Sequence, residues 1–548
     1  MDAAPTAAVR DVWPSDDVDA NQPPPYADVN LAAGDAALAA CATRAGIGRE
    51  IAEFASHWGG SDQLALGRLA NAHPPELHAL DPSGRRCDMV EFHPAYHALM
   101  AQSMAAGLHC STWEARGDGH AARAARLYLV SQVEAGHVCP LTMTHAAPAC
   151  LAAAPDLLRD FLPRIRSRNY DGRFLPFWEK AGITLGMGMT ERPGGTDVRT
   201  NTSKAVPVGG EEYEITGQKW FFSAPMSDAF LVLAQAPGGL TAFLLPRFRP
   251  DGAVNGLRLV RLKHKLGNAS NASSEVEFAR AFAWRVGEEG RGIPTIIEMV
   301  QLTRLDCASS SAGLMRAGLA RALHHAAHRT VFQRKLVDQP AMAMVLADLA
   351  LEAEAAAALA FRLATSFDQA ATSPEEAARA RVLTPVVKFA VCKSAPAFIA
   401  EAMEVLGGNG YVEESALPRL YREAPVNAIW EGSGNVMALD LLRVAAREPH
   451  AVETVLAALK AQTEGLPGAA ATVDHILAAL HAPEREALAR RAADRLATLA
   501  AVAALAESAP LEVAEAFAAT RLAVGRGPFG ANAVENVRDL LLSRARAA

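Results

Sequence analysis

The segment Met187-Gly-Met-Thr-Glu-Arg-Pro-Gly-Gly-Thr-Asp197 marks the point at which the chain changes from helical to strand-like sequence. Its glycines allow a backbone to approach a ligand closely, and the hydroxyl and backbone N–H groups of Thr190 and Thr196 suit a heterocycle edge or a pyrophosphate. The same composition is typical of a Gly/Pro turn capped by an aspartate, so the segment alone leaves both interpretations open. A Rossmann fingerprint is excluded, because Glu191 stands where its third glycine would be.

The sequence after this segment is typical of β-strands. Short runs that alternate in polarity, or are rich in β-branched and aromatic residues, are separated by clusters of Gly, Pro and Asn. The pattern predicts an all-β domain, either a small barrel or a sandwich. The predicted strands are residues 213–222, 229–235, 240–245, 257–262 and 274–278.

Helical sequence lies on both sides of this domain. From about residue 35 to 162, Ala and Leu recur at helical spacing, with breaks at Pro74-Pro75, Pro94 and Pro140. Long amphipathic helices return from 293 to 447 and predict a four-helix-type bundle. The prediction is a multidomain α+β chain with an N-terminal arm and helical domain (1–181), a β-domain (182–289), a helical bundle (290–447) and a helical tail (448–548).

The composition limits what such a chain can be. Of its 548 residues, 50% are hydrophobic and 21% charged, and the formal net charge is −7. A large core is therefore available, and a protein that is basic all over, the simplest kind of nucleic-acid binder, is excluded. No uninterrupted apolar run of about 18 residues predicts a membrane span, and the N-terminus has no signal-peptide pattern. Seven scattered cysteines, never spaced as CxxC, indicate reduced thiols in a cytoplasmic protein.

Three further segments contain residue types that could bind a cofactor. Lys219-Trp-Phe-Phe-Ser223 ends a predicted strand, where its aromatic rings could flank a flat ligand or simply fill a core. Arg329 follows a predicted helix, and Phe332 and Gln339 come shortly after it. The arginine could bind a cofactor, or it could only interact with the helix dipole. A glycine-rich break, 404–411, separates two helices.

The turn Ile429-Trp-Glu-Gly-Ser-Gly-Asn435 contains a candidate general base. The carboxylate of Glu431 follows a tryptophan and precedes a Gly-x-Gly turn. Apolar walls raise the pKa of a carboxylate toward neutrality, which suits a general base in a buried site. The alternative is a structural N-cap or a salt-bridge partner. Phosphate-binding-loop, zinc-protease and hydrolase nucleophile motifs are absent from the sequence.

In this order and domain context, the five segments resemble the acyl-CoA dehydrogenase family of flavoproteins. That family has an N-terminal helical domain, a middle β-domain and a C-terminal four-helix bundle. The resemblance narrows to the AidB branch, associated with DNA alkylation damage, and is weakest before Tyr26 and after Glu448. The stretches that narrow it are 66–71, 74–77, 92–95, 132–136 and 265–271.

The resemblance implies FAD as the cofactor, bound between the β-domain and the bundle. It also implies that the FAD site is shared between subunits, and hence a homotetramer built as a dimer of dimers. Arg329, Phe332 and Gln339 correspond to positions that reach the adenosine half of FAD from a neighbouring subunit. The other implied contacts are Met187, Gly188, Met189, Thr190, Gly195, Thr196, Phe221, Phe222, Ser223, Gly407, Gly408, Gly410, Ile429, Trp430, Gly432, Ser433, Gly434 and Asn435.

The resemblance assigns the catalytic base to Glu431. In the family a carboxylate removes the proton α to a thioester carbonyl, and a hydride passes from the β-carbon to the flavin. Some members carry the base just before an arginine, but that position is Thr303 in this chain, and a threonine cannot serve. Arg304 could steer the substrate or pair with Asp306, and the sequence leaves these two roles open.

A histidine cluster offers a weaker signal. His324, His325 and His328 fall on one predicted helix, the first and last of them four residues apart. A metal site needs a further ligand, which the sequence does not supply, so a surface or interface role is favoured and no metal site is predicted.

AidB-like proteins are thought to bind duplex DNA through the tail. Phosphate binding needs clustered Lys and Arg, yet residues 441–548 contain twelve positive and twelve negative side chains. The tail is neutral while the rest of the chain carries the whole net charge of −7. Eleven arginines could still converge on one face; the alternative is a solvated surface that helps assembly. The candidate DNA contacts are Arg443, Arg447, Arg521, Arg526 and Arg538.

The sequence therefore predicts an FAD-containing acyl-CoA dehydrogenase homologue of the AidB type. It would bind double-stranded DNA in the alkylation-damage response and weakly dehydrogenate a short or branched acyl-CoA. The alternative is a metabolic acyl-CoA dehydrogenase whose tail serves only oligomerisation.

Overall fold

A computed structural model describes residues 21–114 and 119–547. The N-terminal part is helical but contains a two-stranded antiparallel hairpin that the periodicity did not predict. Pro74-Pro75 ends the third helix because the residue before a proline favours extended backbone, and the Asp81 carboxylate then accepts the N–H groups of Ser83 and Arg85 to form the turn. The elements are α1 (Ala36–Arg44), α2 (Gly48–Trp58), α3 (Ser61–Ala72), β1 (Glu76–Leu80), β2 (Arg86–Glu91), α4 (Pro94–Ala105), α5 (His120–Ser131), α6 (Val138–Leu151) and α7 (Pro155–Ile165).

The β-domain is a barrel rather than a sandwich. Its strands are β3 (Leu185–Gly188), β4 (Lys204–Gly209), β5 (Glu212–Ser223), β6 (Ala229–Ala236), β7 (Gly239–Pro246), β8 (Leu257–Leu262) and β9 (Ser273–Val286). Pairing runs β6–β4–β5–β9–β7 and returns to β6, while β3 lies parallel to β6 and β8 adds to β9. Buried aromatic rings, including Phe222, Phe230 and Phe278, fill its interior.

The bundle consists of long helices joined by short turns. Its elements are α8 (Gly292–His328), a hairpin of β10 (Thr330–Val331) and β11 (Arg334–Lys335), α9 (Pro340–Gln369), α10 (Pro374–Val405), α11 (Ala416–Glu423) and α12 (Gly434–Arg447). Helix α10 begins with a strong start signal: Pro374 occupies the first turn, and the Ser373 side chain accepts the N–H of Glu376.

The tail packs against the bundle as part of one core. Its helices are α13 (Pro449–Gln462), α14 (Ala469–His481), α15 (Arg485–Ser508), α16 (Leu511–Phe517) and α17 (Arg538–Ala545). Leu496 and Leu541 of the tail are buried in the same apolar cluster as Leu349 and Val386 of the bundle. The tail is thus attached through a continuous hydrophobic interface.

One described helix, α10, is long and apolar enough to cross a membrane. Of its most apolar 18-residue window, 72% is buried inside the protein. That burial is what a core helix of the bundle requires.

Candidate active site

Glu431 lies at the junction of the bundle and the barrel, in the turn before α12. Its backbone is in the left-handed region, with φ at +57°. A non-glycine residue there costs on the order of 1–3 kcal/mol and persists only where its surroundings impose it. The side-chain Oε2 accepts a hydrogen bond from Thr303 Oγ1 of α8 at 2.7 Å. Among the described residues the carboxylate forms no salt bridge, so the salt-bridge alternative is not supported.

Two buried cations hold the backbone on either side of this glutamate. Lys388 of α10 donates from Nζ to the carbonyls of Trp430 at 2.9 Å and Gly432 at 2.5 Å. Arg304 donates from Nε to the Glu431 carbonyl at 3.1 Å. These contacts explain how the turn keeps its strained geometry. No local pattern marked Lys388, because its partners lie more than 40 residues away in the chain.

Of the two roles that the sequence left open for Arg304, the pairing with Asp306 is wrong. Its guanidinium is buried and pairs with Asp440 of α12 at 2.7 Å. Asp306 instead forms a two-pronged pair with Arg123 of α5, at 2.5 and 2.8 Å. The reason is geometric, since residues two apart on a helix face different directions.

Burial raises the pKa of Glu431 above the ordinary value of a glutamate. The hydrogen bond from Thr303 and the charges of Arg304 and Lys388 act in the opposite direction, and Asp306 adds to the rise. Desolvation is the largest of these effects, because it penalises the ionised form. The carboxylate is therefore a stronger proton acceptor than an exposed glutamate.

The predicted flavin flank lies at the end of β5. Phe221 is 50% exposed and Ser223 partly exposed, so both can face a ligand. Phe222 is fully buried and packs on Phe230 with ring centroids 4.5 Å apart. The prediction that the Phe222 ring contacts FAD is therefore wrong, because strand alternation directs it into the barrel.

The segment that opens the barrel lies beside this flank. Met187, Met189 and Thr190 are partly buried, whereas Gly195 and Thr196 are exposed. A Cβ added at Gly188 would come within 2.3 Å of the Phe222 ring. The glycine thus allows β3 to lie against β5. Packing inside the barrel is therefore enough to explain why a glycine occupies this position.

Polar side chains surround Cys139 of α6 beside this flank. Burial raises the pKa of Cys139 to about 12, and the thiol is close to Lys265, Glu431, Ser223 and Asn271. Lys265 donates from Nζ to Ser273 Oγ at 3.1 Å. Both amide atoms of the Asn271 side chain are buried without a hydrogen-bond partner in the described structure. The sequence did not single out these buried polar residues beside the predicted flavin flank.

The predicted FAD contacts Ile429–Asn435 flank Glu431, whereas a second group lies at the far end of the bundle: Arg329, Phe332, Gln339, Gly407, Gly408 and Gly410. Along α8, Arg329 is about 39 Å from Thr303 at 1.5 Å per residue. Along α10, the turn at Gly407–Gly410 begins about 26 Å beyond Lys388. Asn21 hydrogen-bonds Thr330, and Gln22 contacts Asn409, so the N-terminal segment joins these two turns. One chain therefore does not bring the two groups of predicted FAD contacts together.

The far end exposes apolar side chains. Phe332 is 90% exposed and Tyr411 82% exposed, while Gln339 donates to the Val331 carbonyl at 2.6 Å. His324 contacts the Pro24 carbonyl at 2.8 Å and packs edge-on to Tyr26. Within residues 21–114 and 119–547 no group of three or more His, Cys, Asp or Glu side chains is placed to hold a metal.

The arginines that were predicted to contact DNA differ in burial and in pairing. Arg521 is buried and pairs with Asp348 at 2.6 Å and Glu352 at 3.2 Å. The prediction that Arg521 contacts DNA is therefore wrong. Arg526 and Arg538 are exposed but form ion pairs, with Glu352 at 2.7 Å and with Asp539 at 2.9 Å.

Comparison with known proteins identifies the family. A profile described as the adaptive response protein AidB N-terminal domain matches residues 21–172, and profiles of the acyl-CoA dehydrogenase middle and C-terminal domains match 186–281 and 290–446. AidB of Escherichia coli strain K12 is 51% identical over 430 residues, covering 77% of this chain and 79% of that protein. This chain belongs to the acyl-CoA dehydrogenase family, in its AidB branch.

Solved structures of acyl-CoA dehydrogenase relatives extend the match to the tail. A protein described as Bd2924 in its apo-form has a TM-score of 0.81 and 29% identity, covering 88% of this chain and 98% of that one. The Caenorhabditis elegans protein ACDH-11, solved in complex with C11-CoA, has a TM-score of 0.83 and 25% identity, covering 99% of this chain and 98% of that one. Coverage of 99% includes the tail helices, so the same fold occurs outside bacteria.

Family membership confirms the predicted fold class and supports FAD as the cofactor. An acyl-CoA dehydrogenase of Bacillus anthracis with this fold, TM-score 0.62 and 16% identity, covers 82% of this chain and 80% of that one and is complexed with FAD. The residues at the barrel end fit a flavin. Phe221 offers a half-exposed ring face. The Ser223 hydroxyl makes only a long contact of 3.4 Å with Ser273, so it is available to a ligand. The individual FAD contacts stay predictions.

Proposed function

We propose that this protein is an FAD-dependent acyl-CoA dehydrogenase in which Glu431 removes the α-proton of the substrate. The observation that carries the proposal is the position of the Glu431 carboxylate. It is partly exposed to the cleft, held by Thr303 at 2.7 Å, and attached to a turn that Lys388 and Arg304 fix. A positioned base with a raised pKa is what abstraction of a weakly acidic C–H proton needs.

The proton and hydride leave the substrate in different directions. The Glu431 carboxylate takes the proton from the α-carbon, and Thr303 keeps that carboxylate oriented. FAD, when bound, accepts the hydride from the β-carbon. By family resemblance, the backbone N–H of Glu431 and a ribityl hydroxyl polarise the thioester carbonyl. The product is the α,β-unsaturated acyl-CoA.

A short or branched acyl chain is the proposed substrate class. The C. elegans relative was solved in complex with C11-CoA, which supports an acyl-CoA as the substrate of this chain. A polar wall of Cys139, Asn271 and Lys265 beside Glu431 does not favour a long apolar chain. We also propose that turnover of this substrate is weak. The proposed location of the protein is the cytoplasm.

A homotetramer is the proposed assembly. Arg329, Phe332 and Gly407 are far from the Glu431 cleft within one chain, so they could reach FAD only from a second copy. The exposed rings of Phe332 and Tyr411 mark that end as apolar surface that a partner would cover. In a closed dimer of dimers, each copy of this apolar end is covered by a neighbouring subunit in the same way.

The proposal is tested with a panel of acyl-CoA thioesters and an artificial electron acceptor. We expect the holoprotein to reduce the acceptor with one or more short or branched acyl-CoAs and to form the enoyl-CoA in equal amount, measured by chromatography. Acyl-pantetheine without the nucleotide serves as a matched control for CoA recognition. Absence of enoyl-CoA with every thioester would exclude the proposed reaction.

Duplex DNA binding in the alkylation-damage response is the second candidate function. Similarity to AidB and the adaptive-response description of the N-terminal profile favour it. With Arg521 buried and Arg526 and Arg538 paired, the DNA contacts that remain on the surface are Arg443 and Arg447 at the end of α12. Arg443 is 54% exposed and lies 3.6 Å from Asp440.

The salt dependence of duplex binding tests this second function. Each phosphate contact contributes a slope of about −0.9 in a plot of log K against log salt concentration. We expect Arg443→Ser/Arg447→Ser to flatten the slope by about 1.8 relative to the wild type, measured by fluorescence anisotropy with a labelled duplex. Arg49→Ser, on the exposed face of α2, is the matched control and should leave the slope unchanged. Equal slopes for all three proteins would remove α12 from the interface.

A further inference from the structure

One side chain of the tail reaches the turn that carries the proposed base. Arg490, in the second turn of α15, donates from Nη1 to Oδ1 of Asn435 at 2.9 Å. Asn435 is the second residue of α12 and lies four residues after Glu431. The hydrogen bond joins residues that are 55 positions apart in the chain. The tail is therefore in direct contact with the site turn.

An aromatic ring lies behind the same contact. The Arg490 guanidinium lies over the ring of Phe389 in α10, 5.5 Å from its centroid. Gly434 is buried against this ring, since a Cβ added there would come within 3.3 Å of it. The residue before Phe389 is Lys388, whose ammonium group donates to two carbonyls of the site turn. Two consecutive residues of α10 thus support the turn, and Arg490 packs on one of them.

The helix that carries Arg490 is anchored in the core. Ala489, Ala493 and Leu496 of α15 are buried in the apolar cluster that the tail shares with the bundle. The backbone of Arg490 is thus already ordered by this packing. Its hydrogen bond to Asn435 costs only the conformational entropy of its own side chain.

The contact also decides how the Asn435 amide is oriented. Arg490 and Asn435 are both exposed, and within residues 21–114 and 119–547 the guanidinium forms no salt bridge. A guanidinium has only N–H donors, so the amide oxygen must face it. The Asn435 Nδ2 group, with its two N–H donors, is left to face another acceptor. A charged donor makes this a stronger hydrogen bond than one between neutral groups.

We propose that Arg490 is a positioning residue of the flavin site, through which the tail increases the affinity of the protein for FAD. Arg490 holds the oxygen of the Asn435 amide and thereby presents its nitrogen as a donor to the cofactor. The inference rests on the proposed function, and in particular on the predicted contact between Asn435 and FAD. It gives the tail a role at the cofactor site that differs from DNA binding and from oligomerisation.

The test uses variants of the full-length holoprotein. Arg490→Met removes the donor but keeps a long side chain, and Arg490→Lys keeps a cationic donor. Asn435→Ala, alone and combined with Arg490→Met, completes a double-mutant cycle. Arg491→Met is the matched control, because it removes the same charge from the next, exposed residue of α15, which has no hydrogen bond or ion pair in the described parts of the chain. The Kd for FAD is measured by flavin fluorescence on dilution, without any acyl-CoA.

The expected results differ between the two neighbouring arginines. Arg490→Met should raise the Kd for FAD about 3–10-fold, the size expected for one lost hydrogen bond, and Arg491→Met should leave it unchanged. Asn435→Ala should raise the Kd at least as much. Adding Arg490→Met to Asn435→Ala should change the Kd less than about 2-fold, because two residues that act through one contact are not additive. Arg490→Lys should recover part of the lost affinity.

Four results would overturn the proposal. The first is an unchanged Kd in Arg490→Met, and the second is an equal rise in Arg491→Met, which would indicate a general effect of charge. The third is a full effect of Arg490→Met in the Asn435→Ala background, which would show that Arg490 acts elsewhere. The fourth is a melting temperature of the FAD-free protein that falls in both Arg490 variants, which would make Arg490 part of the tail packing.

These results do not depend on catalysis, because no acyl-CoA is present. A wild-type protein that binds FAD but forms no enoyl-CoA from any thioester would contradict the proposed dehydrogenase reaction. The Kd values of the variants would still decide whether Arg490 positions Asn435. Failure of the proposed function and failure of this inference are therefore distinguished.

Discussion

Replacing Glu431 with glutamine should lower the kcat for acyl-CoA dehydrogenation by about 10²–10⁴-fold, the range that general-base catalysis contributes. Glutamine has nearly the same shape, and its amide oxygen can still accept the hydrogen bond that Thr303 donates at 2.7 Å. What it lacks is the ability to take a proton. We expect the KM for the acyl-CoA and the FAD content to change little, as measured by steady-state kinetics and flavin absorbance. A glutamine variant as active as the wild type would show that another group is the base.

The pH profile gives an independent check of the same residue. A base must be ionised to act, and burial raises the pKa of Glu431, so activity should be lost as the pH falls through that raised value. The hydrogen bond from Thr303 lowers the pKa, and Thr303→Val removes it. The acidic limb of the kcat profile should therefore move to higher pH in Thr303→Val. A shift to lower pH would contradict the assigned contact.

Replacing Arg521 with alanine should destabilise the protein by about 3–5 kcal/mol, the range for breaking one partner out of a buried ion pair. Arg521 is buried against Asp348, 2.6 Å away, and Glu352, 3.2 Å away. Its removal leaves Asp348 without a buried countercharge and Glu352 with Arg526 alone. We expect a lower melting temperature and a lower urea midpoint, because the tail would no longer dock firmly on α9.

A matched arginine separates this structural role from a role in DNA binding. Arg538 belongs to the same tail but pairs at the surface with Asp539, whose side chain is 85% exposed. Exposed pairs contribute about 0–1 kcal/mol, so Arg538→Ala should leave the urea midpoint nearly unchanged. If Arg521→Ala were as stable as Arg538→Ala, the buried network would not be what holds the tail in place.

Sequence periodicity predicted the fold where a local pattern corresponds to a local structure. The five predicted strands of the barrel lie within β5, β6, β7, β8 and β9, because half-buried strands need alternating side chains and fully buried strands such as β6 and β7 need a short apolar run. The hairpin of β1 and β2 was missed. Its strands are only five and six residues long and lie between helices, so their alternation was too short to be separated from the helical sequence around it.

The site was predicted only as far as each segment could be recognised by itself. Glu431 was identified because a carboxylate in a Trp-Glu-Gly turn has a family pattern, and the structure places it in a cleft. Phe222 was assigned to the ligand because the stretch Phe221–Ser223 matches the flavin flank of the family, although its own ring faces the barrel interior. Lys388 and Arg490 were not found, since each contacts the site turn from a helix whose sequence resembles any other amphipathic helix.

The sequence by itself determined the order of helical and strand domains and the family, and it singled out Glu431 as the proposed base, because these depend on patterns within short stretches of chain. The net charge of each part could also be counted from the sequence: residues 441–548 are neutral, and the rest of the chain is acidic. Only the tertiary structure decided what the tail arginines do. An ion pair depends on which side chains meet across helices, and a count of charges contains no distances. Arg521 is therefore enclosed by Asp348 and Glu352, whereas Arg490 of the same tail donates to the Asn435 side chain at 2.9 Å.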